Sequence, residues 1–269
     1  MRLFSCLCCS PYSARMPAAA PDTARSARKR HKSGGKVSPK LLDDLVAANR
    51  ILASEGVVDG YGHVSMRHPD APERYFISRS IAPAQVTRKD LVEMTLDSET
   101  VDPDAPASYL ERFIHGEVYK ARPDVMSVVH SHSPTVIPFA NSRTPLRAMM
   151  HIAGFLAGRV PVFDIKDQFG PTNMLIANRN QGAALAQTLG DRPVALMRGH
   201  GNVVTGDSVK LAVARAVYTE VNARMQLASR QLDGPITFID EAEGRQCEAM
   251  LAATCDRPWN LWKQKVGMK

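Results

Sequence analysis

The stretch that most restricts what this chain can fold into is Val128-Val129-His130-Ser131-His132. Its apolar beginning is typical of a buried strand, and two histidines follow two positions apart. Residues i and i+2 of an extended chain point to the same face, so both imidazoles are predicted to reach one point in space. Two ligands of a single metal ion need this arrangement. A chain with eight histidines can also contain such a pair by chance, so the motif alone leaves both interpretations open.

The chain on either side of this stretch alternates between predicted helices and strands. Ser38-Pro39 predicts the start of a helix that extends to about Glu55, because serine caps helices and proline suits the first helical position. Ser108-Tyr109-Leu110-Glu111 has the pattern of a capping box and opens a helix that ends near Arg122. Further strands are predicted over residues 75–78, 90–96, 160–164 and 194–197, and further helices over residues 181–189 and from Asp207 or Ser208 onward. This order of elements predicts an α/β domain built in layers.

The positive charge of the chain is concentrated in its first forty residues. They contain nine Lys and Arg residues and one acid, which leaves the remaining chain with a net charge of −1. Residues 1–36 are therefore predicted to be a disordered basic tail, and a nucleic-acid surface on the folded part is not expected. No apolar run approaches 18 residues, so no membrane span is predicted. Five cysteines are an odd number, which disfavours a secreted disulfide framework and favours a reducing, cytoplasmic setting.

Two further residues complete a candidate metal site. His200 lies between two glycines directly after the strand over residues 194–197, and Glu111 begins the helix that leads into the histidine strand. Catalytic metal sites use three protein ligands and keep one position open, so His130, His132 and His200 are the predicted ligands. Glu111 is the predicted proton donor or acceptor, and the capping-box glutamate is its structural alternative. Such a site fits one divalent metal, with zinc, manganese, cobalt and iron not distinguished.

In this order the motifs resemble the class II aldolase/adducin family over about residues 38–230. Glu111 stands 19 residues before His130, as in the aldolases, and His200-Gly201 matches the last family motif. The resemblance implies a three-layer α/β domain with a central, largely antiparallel sheet flanked by helices. It also implies a homotetramer with the metal on the three histidines. We assign residues 37–232 to this catalytic domain and residues 233–269, with a strand, a helix and Trp259/Trp262, to a docking or subunit-contact segment.

The chain departs from the family at the positions that hold a sugar phosphate. The family asparagine is replaced in Gly62-His63-Val64-Ser65, the Thr/Ser-Gly step is Arg79-Ser80, and the serine pair before the glutamate is Tyr109-Leu110. A phosphate needs several short donors around it, and a leucine supplies none. Guanidinium, imidazole and phenol groups suit a flat ring that carries carboxylates. The predicted substrate-binding residues are His63, Ser65, Arg79, Ser80 and Tyr109.

This altered wall resembles the branch of the family that decarboxylates hydroxy-aromatic dicarboxylates, including dihydroxyphthalate and 3-hydroxy-2-methylpyridine-4,5-dicarboxylate. The resemblance implies a metal-dependent carboxy-lyase in the breakdown of aromatic compounds, acting on an ortho-hydroxylated aromatic or pyridine carboxylate. Glu111 would protonate the vacated carbon, and His63 and Arg79 would hold a second carboxylate. The alternative is a retro-aldol lyase for a non-phosphorylated hydroxy-keto acid. A non-catalytic adducin-like module is the third interpretation, and the retained histidines and glutamate argue against it.

Overall fold

The computed structural model describes residues 29–268, and its central element is a seven-stranded sheet. The strands are β1 (His63–Arg67), β2 (Arg74–Ser78), β3 (Leu91–Thr95), β4 (Ser127–Ser131), β5 (Val162–Phe163), β6 (Val194–Met197) and β7 (Gly201–Gly206). The helices are α1 (Pro39–Ser54), α2 (Arg112–Ala121), α3 (Ile137–Ala140), α4 (Ile165–Phe169), α5 (Arg179–Leu189), α6 (Val209–Ser229), α7 (Glu241–Thr254) and α8 (Asp256–Lys265). Short 3-10 turns cover Pro83–Gln85, Arg88–Asp90 and His151–Leu156.

The sheet has the strand order β3-β2-β1-β4-β7-β6-β5. Every neighbouring pair is antiparallel except β5 and β6, which are parallel. All residues of the central strands β1 and β4 are buried, because helices cover both faces of the sheet. The predicted central, largely antiparallel sheet is confirmed.

Two hydrophobic layers flank the sheet, and alternate residues of β4 contribute to each. Val129 packs with the cluster beneath α1, α6 and α8, whereas Val128 packs with the cluster beneath α2 and α5. Successive side chains of a strand point to opposite faces, so His130 lies on the α2 and α5 side with Val128. This three-layer arrangement confirms the predicted fold class. It places His130, the first predicted metal ligand, on the face of the sheet that α2 and α5 cover.

The C-terminal segment differs from its prediction. It forms the two helices α7 and α8, and residues 235–239 of the described chain have no strand structure. Their apolar composition suggested a strand, but the one backbone hydrogen bond they make outside their own segment runs from the Ile239 N–H to the Ala148 carbonyl, at 3.1 Å. Trp259 and Trp262 are buried in the cluster beneath α1 and α6, so this pair serves the core of its own chain. A subunit-contact role for the segment stays a prediction.

Part of the predicted tail packs against the domain. Residues 31–36, which were assigned to the tail, run along β3, where the Ser33 hydroxyl and the Gly34 N–H donate to the Glu93 carboxylate at 2.7 and 2.6 Å. The predictions for residues 1–28 lie outside the described residues. Within the described part, none of the helices has the length and apolar character needed to cross a membrane.

Candidate metal centre

The predicted metal-binding and catalytic side chains converge at one end of the β4–β7 pair. One ligand atom from each of Glu111, His130, His132 and His200 lies within 4.8 Å of the others. His132 Nε2 is 3.3 Å from His130 Nε2 and 3.0 Å from His200 Nε2. The expectation that the two histidines of the 130–132 motif reach one point is therefore correct for the described chain.

Close approach of two strand ends brings His200 to this point. Ser131 pairs with Asn202 at the end of β4, and a Cβ atom on Gly201 would lie 1.9 Å from the Ser131 carbonyl oxygen. Gly199 has a φ of 66°, a conformation that side chains with a Cβ rarely adopt. Glycines on both sides of His200 therefore allow β6 to turn tightly into β7 and hold the imidazole against the end of β4.

Backbone carbonyls orient two of the imidazoles. His130 Nδ1 is 3.2 Å from the Asn202 carbonyl oxygen, and His200 Nδ1 is 3.0 Å from the Met174 carbonyl oxygen. A carbonyl only accepts hydrogen bonds, so each Nδ1 carries the proton and each Nε2 presents its lone pair to the cluster. Three imidazole nitrogens beside a carboxylate oxygen are a donor set that fits one divalent metal ion.

Glu111 contributes to the same centre with one oxygen. Its Oε1 accepts a hydrogen bond from the Ile176 N–H at 3.0 Å, while Oε2 lies 3.5 Å from His130 Nε2 and 3.4 Å from His200 Nε2. The capping-box interpretation is wrong, because Glu111 is itself the residue before α2 and its side chain makes no cap bond. Glu111 is therefore close enough to the imidazoles to serve as a metal ligand, and it is also placed to accept or donate a proton.

Burial and mutual charge favour the metal-binding form of Glu111 and of His132. Burial raises the pKa of Glu111, but the neighbouring His130 and His200 outweigh it and lower the pKa overall. Burial, followed by the charges of His130 and His200, lowers the pKa of His132 to about 4. Burial lowers the pKa of His200, but the Glu111 carboxylate outweighs it and raises the value. An ionised carboxylate beside a neutral His132 imidazole matches what a divalent cation requires.

A cavity of about 460 Å³ opens against this cluster. Its walls combine rings, aliphatic groups and a glycine-rich turn, and are formed by Gly60, Tyr61, Gly62, His63, Ser80, Ile81, Ala82, Tyr109, Leu110, Glu111, His132 and Leu175. No Lys or Arg belongs to this set within the described chain. The cavity therefore suits a small, flat and partly apolar molecule better than a phosphate dianion.

The structure brings three of the five predicted substrate-binding residues to the cavity and leaves two elsewhere. His63, Ser80 and Tyr109 line it. Ser65 is fully buried behind the wall, and Arg79 is directed to Asp90, with Nε 2.6 Å from Oδ1. Ser65 is one alternation further along β1 than His63, and the Arg79 guanidinium is held by Asp90 outside the cavity. The expectation that Ser65 and Arg79 line the pocket is therefore not met by the described chain.

Sequence reasoning also missed residues of the site. Tyr61 lines the cavity with its ring centroid 6.1 Å from that of His132. His115 is buried behind His63, with 2.6 Å between His115 Nε2 and His63 Nδ1. The i, i+4 spacing of Glu111 and His115 on one helix face was the available signal for the second residue. No comparable pattern marked Tyr61 or the carbonyls of Met174 and Asn202.

Comparison with known proteins agrees with this geometry. Residues 43–227 match the family described as Class II Aldolase and Adducin N-terminal domain. The chain belongs to this family. It is 38% identical to the decarboxylase tropJ of Talaromyces stipitatus, over 82% of this chain and 92% of that protein. It is 28% identical to the 3,4-dihydroxyphthalate decarboxylase of Arthrobacter keyseri, over 74% of this chain and 82% of the relative.

The fold has solved counterparts. The aldolase II superfamily protein from Pseudomonas syringae superposes with a TM-score of 0.71 at 24% identity, covering 86% of this chain and 94% of the other. This likeness supports the class II aldolase fold. The relatives named as decarboxylases confirm the prediction of an enzyme of the carbon–carbon lyase class, since decarboxylation breaks a carbon–carbon bond.

Proposed function

We propose that this protein is a metal-dependent decarboxylase of ortho-hydroxylated aromatic carboxylates. The observation that carries the proposal is that a His₃–Glu donor cluster lies next to a cavity lined by rings. Among the described residues, no Lys or Arg lines this cavity. Relatives named as decarboxylases, one of them for a dihydroxyphthalate, support the substrate class. A sugar phosphate would find in this cavity neither a guanidinium nor a cluster of short donors.

The donor cluster gives the metal a defined role in this proposal. His130, His132 and His200 would hold the ion through their Nε2 atoms, and Glu111 lies within reach as a further oxygen donor. When bound, a divalent metal supplies Lewis-acid stabilisation of negative charge on substrate oxygens. A ring hydroxyl next to a carboxylate offers two such oxygens in adjacent positions, which is why the ortho arrangement belongs to the proposal.

The protein side chains orient the ring and move the proton. Tyr61, Tyr109 and Leu175 form flat and apolar wall surfaces that hold an aromatic ring and exclude water from it. Loss of carbon dioxide leaves an electron pair on the ring carbon, and that carbon must receive a proton. Glu111 is the one acid that lines the described cavity, and we assign the proton transfer to its Oε2. The ionised carboxylate would first accept the proton of the ring hydroxyl, or one from water, and would then deliver it to that carbon.

The residues of the cavity wall also determine how a second carboxylate of the substrate could be bound. The sequence suggested that His63 and Arg79 would hold it, but the Arg79 guanidinium is bonded to Asp90. His63 and Ser80 remain as neutral polar groups on that side. We therefore expect hydroxyaryl monocarboxylates to be turned over as well as dicarboxylates, including the pyridine compound suggested by the resemblance.

The test is a direct assay of carbon dioxide release. Protein loaded separately with Zn²⁺, Mn²⁺, Co²⁺ or Fe²⁺ is incubated with 3,4-dihydroxyphthalate and with 2-hydroxybenzoate, and 3-hydroxybenzoate serves as the matched control without an ortho hydroxyl. Release from the ortho compounds alone supports the proposal. Release of an aldehyde and a ketone from hydroxy-keto acids, without any carbon dioxide from the aromatic acids, would establish the retro-aldol alternative instead.

The setting of the enzyme is part of the proposal. Cys247 and Cys255, the two cysteines in the described chain, are both free, which supports a reducing cytoplasmic compartment. A homotetramer is inferred from the family, and light scattering on the purified protein measures the subunit count. A role in aromatic-compound breakdown follows from the proposed substrate class.

A further inference from the structure

A chain of four buried polar side chains, which we call the buried relay, leads from the cavity wall into the core. His63 Nδ1 is 2.6 Å from His115 Nε2, and His115 Nδ1 is 2.6 Å from Ser65 Oγ. Ser65 Oγ is in turn 2.7 Å from the Tyr119 hydroxyl. None of the four residues is more than 3% exposed. The buried relay therefore connects β1 and α2 by hydrogen bonds that water does not reach.

One end of the buried relay is open to the cavity and lies beside the metal centre. His63 pairs with His130 across β1 and β4, and their ring centroids are 5.1 Å apart. His63 Nδ1 is used by His115, so Nε2 is the ring nitrogen left for a ligand, and no described residue hydrogen-bonds to it. A molecule in the cavity that contacts the metal centre is therefore also within reach of His63 Nε2.

The other end of the buried relay determines the direction of its hydrogen bonds. Burial raises the pKa of Tyr119, so its hydroxyl keeps its proton and must donate it. The described chain offers this hydroxyl one acceptor, Ser65 Oγ. The Val128 backbone also contacts the hydroxyl but stabilises the ionised phenol, as a donor does. The reverse direction would leave a buried hydroxyl proton without an acceptor, which proteins avoid.

Each later member of the buried relay then has one possible role. Ser65 accepts from Tyr119 and donates its own proton to His115 Nδ1. Burial lowers the pKa of His115 to about 3, so this imidazole is neutral and carries its single proton on Nε2. That proton is donated to His63 Nδ1. A ring nitrogen that accepts a hydrogen bond carries no proton, so the proton of the His63 ring is on Nε2.

We propose that the buried relay fixes His63 as an Nε2–H donor to a substrate oxygen beside the metal centre, with His115, Ser65 and Tyr119 as positioning residues. The proposal rests on the proposed function only for the identity of the acceptor, an anionic oxygen of the hydroxyaryl carboxylate. A donor that cannot change tautomer is already oriented when negative charge shifts through the ring to that oxygen. It also disfavours ligands that present a hydrogen-bond donor at this position.

The tautomer of His63 is measured directly by NMR. Zinc-loaded protein labelled with ¹⁵N-histidine is recorded in a two-bond ¹H–¹⁵N correlation, and the His63 signal is assigned by its loss in His63→Gln. The expected spectrum has a protonated, pyrrole-type Nε2 and an unprotonated, pyridine-type Nδ1. A His63 signal with the proton on Nδ1 overturns the proposal. If the expected tautomer is found but no hydroxyaryl acid is decarboxylated, the inference about the buried relay stands and the proposed function is refuted.

Tyr119→Phe removes the donor that sets the direction. We expect a mixture of His63 tautomers and a kcat lowered about tenfold, the size that one hydrogen bond to a charged group supplies, with a smaller change in KM. Tyr75→Phe is the matched control, since Tyr75 is a neighbouring buried tyrosine whose hydroxyl bonds to Ser98 and the Arg112 carbonyl. It should leave the tautomer unchanged.

A second variant tests the next bond of the buried relay. Ser65→Ala removes the group that donates to His115 Nδ1, and we expect the same mixture of tautomers and a similar loss in kcat. This variant replaces Tyr119→Phe where the latter does not fold. An unchanged His63 tautomer and kcat in a folded Tyr119→Phe or Ser65→Ala protein would contradict the positioning role of the changed residue.

Discussion

The two sides of the cavity differ in how firmly the backbone determines where side chains go. On the metal side, His130 is part of β4, His200 is held between two glycines against that strand, and Glu111 precedes α2 directly. On the substrate side, Ser65 lies two residues further into β1 than His63, and the long side chain of Arg79 follows the end of β2. Every predicted member of the first group reaches the centre, whereas Ser65 and Arg79 of the second do not line the cavity.

The difference shows what a residue pattern can and cannot predict. Strand alternation gives the face on which a side chain lies, but not its depth below the sheet edge. Ser65 shares a face with His63, yet two residues along a strand correspond to about 7 Å, enough to place Ser65 beneath α2. Arg79 follows Ser78 at the end of β2, and its long side chain donates to the Asp90 carboxylate. An arginine near a pocket identifies neither its partner nor its direction.

The largest expected effect comes from breaking the metal side. His200→Ala removes one of three imidazoles whose Nε2 atoms converge, and we expect loss of stoichiometric metal. Turnover should fall at least about 10³-fold, because Lewis-acid stabilisation supplies several kcal/mol. Elemental analysis and carbon dioxide release measure both. His151→Ala, an exposed histidine outside the cluster, should retain metal and activity. Full metal content in His200→Ala would remove His200 from the ligand set.

Glu111→Gln separates metal binding from proton transfer. The three imidazoles remain, so we expect metal to be retained, while turnover falls about 10²- to 10⁴-fold because the amide cannot carry the proton. Metal content and the rate of carbon dioxide release are measured on the same sample. The control is Glu117→Gln on the same helix, whose carboxylate pairs with Lys120 away from the cavity. Metal lost together with activity would instead make Glu111 primarily a ligand.

Most of the fold was accessible from the sequence because its signals are local and repeated. The cap at Ser208, the stop at Gly190 and the apolar strand over residues 194–197 all correspond to observed elements. The predicted C-terminal strand was wrong because an apolar stretch can pack as irregular chain, here against Arg147 and Ala148. Strand pairing order is not contained in any local signal, and the family resemblance implied only that the central sheet is largely antiparallel.

The candidate site was accessible to a different extent. The histidine pair was predictable from the strand period, and His200 from the glycines around it. The carbonyls that orient these rings belong to Asn202 and Met174. Every residue has a backbone carbonyl, so residue types could not predict these two contacts. His115 carried a weak signal in its spacing from Glu111, but its partner Ser65 could be paired with it only once β1 and α2 were placed together.

Tyr109 tests the substrate side with an intermediate expected effect. Its ring packs against His63 with centroids 4.5 Å apart, while its hydroxyl is bonded to Ser78 and the Ile81 carbonyl. Tyr109→Ala should raise KM about tenfold, since it removes a wall of the cavity. Tyr109→Phe keeps the ring, so we expect KM to change little and the free energy of unfolding to fall by about 1 kcal/mol. A large KM increase in Tyr109→Phe would show that the hydroxyl contacts substrate.

Arg79 should give the smallest effect on catalysis, and Ser80 provides the contrast. Arg79→Met loses a half-exposed ion pair with Asp90, so we expect the free energy of unfolding to fall by about 0.5 kcal/mol and KM to change less than twofold, about the experimental scatter. Ser80→Ala, which changes a cavity-lining side chain, should raise KM without loss of stability.

The pH dependence of stability separates an ion pair from a substrate contact at Arg79. Hydrogen bonds from Thr87 and then Arg79 lower the pKa of Asp90, so the folded protein binds its proton less readily than the unfolded chain does. The stabilisation is therefore complete above the unfolded pKa of about 3.9 and is lost progressively as the pH falls from there through the lower folded pKa. Urea unfolding at pH 7 and pH 3 should show a larger difference between wild type and Arg79→Met at pH 7 than at pH 3. A KM increase above about tenfold with no such stability difference would show that Arg79 contacts the substrate.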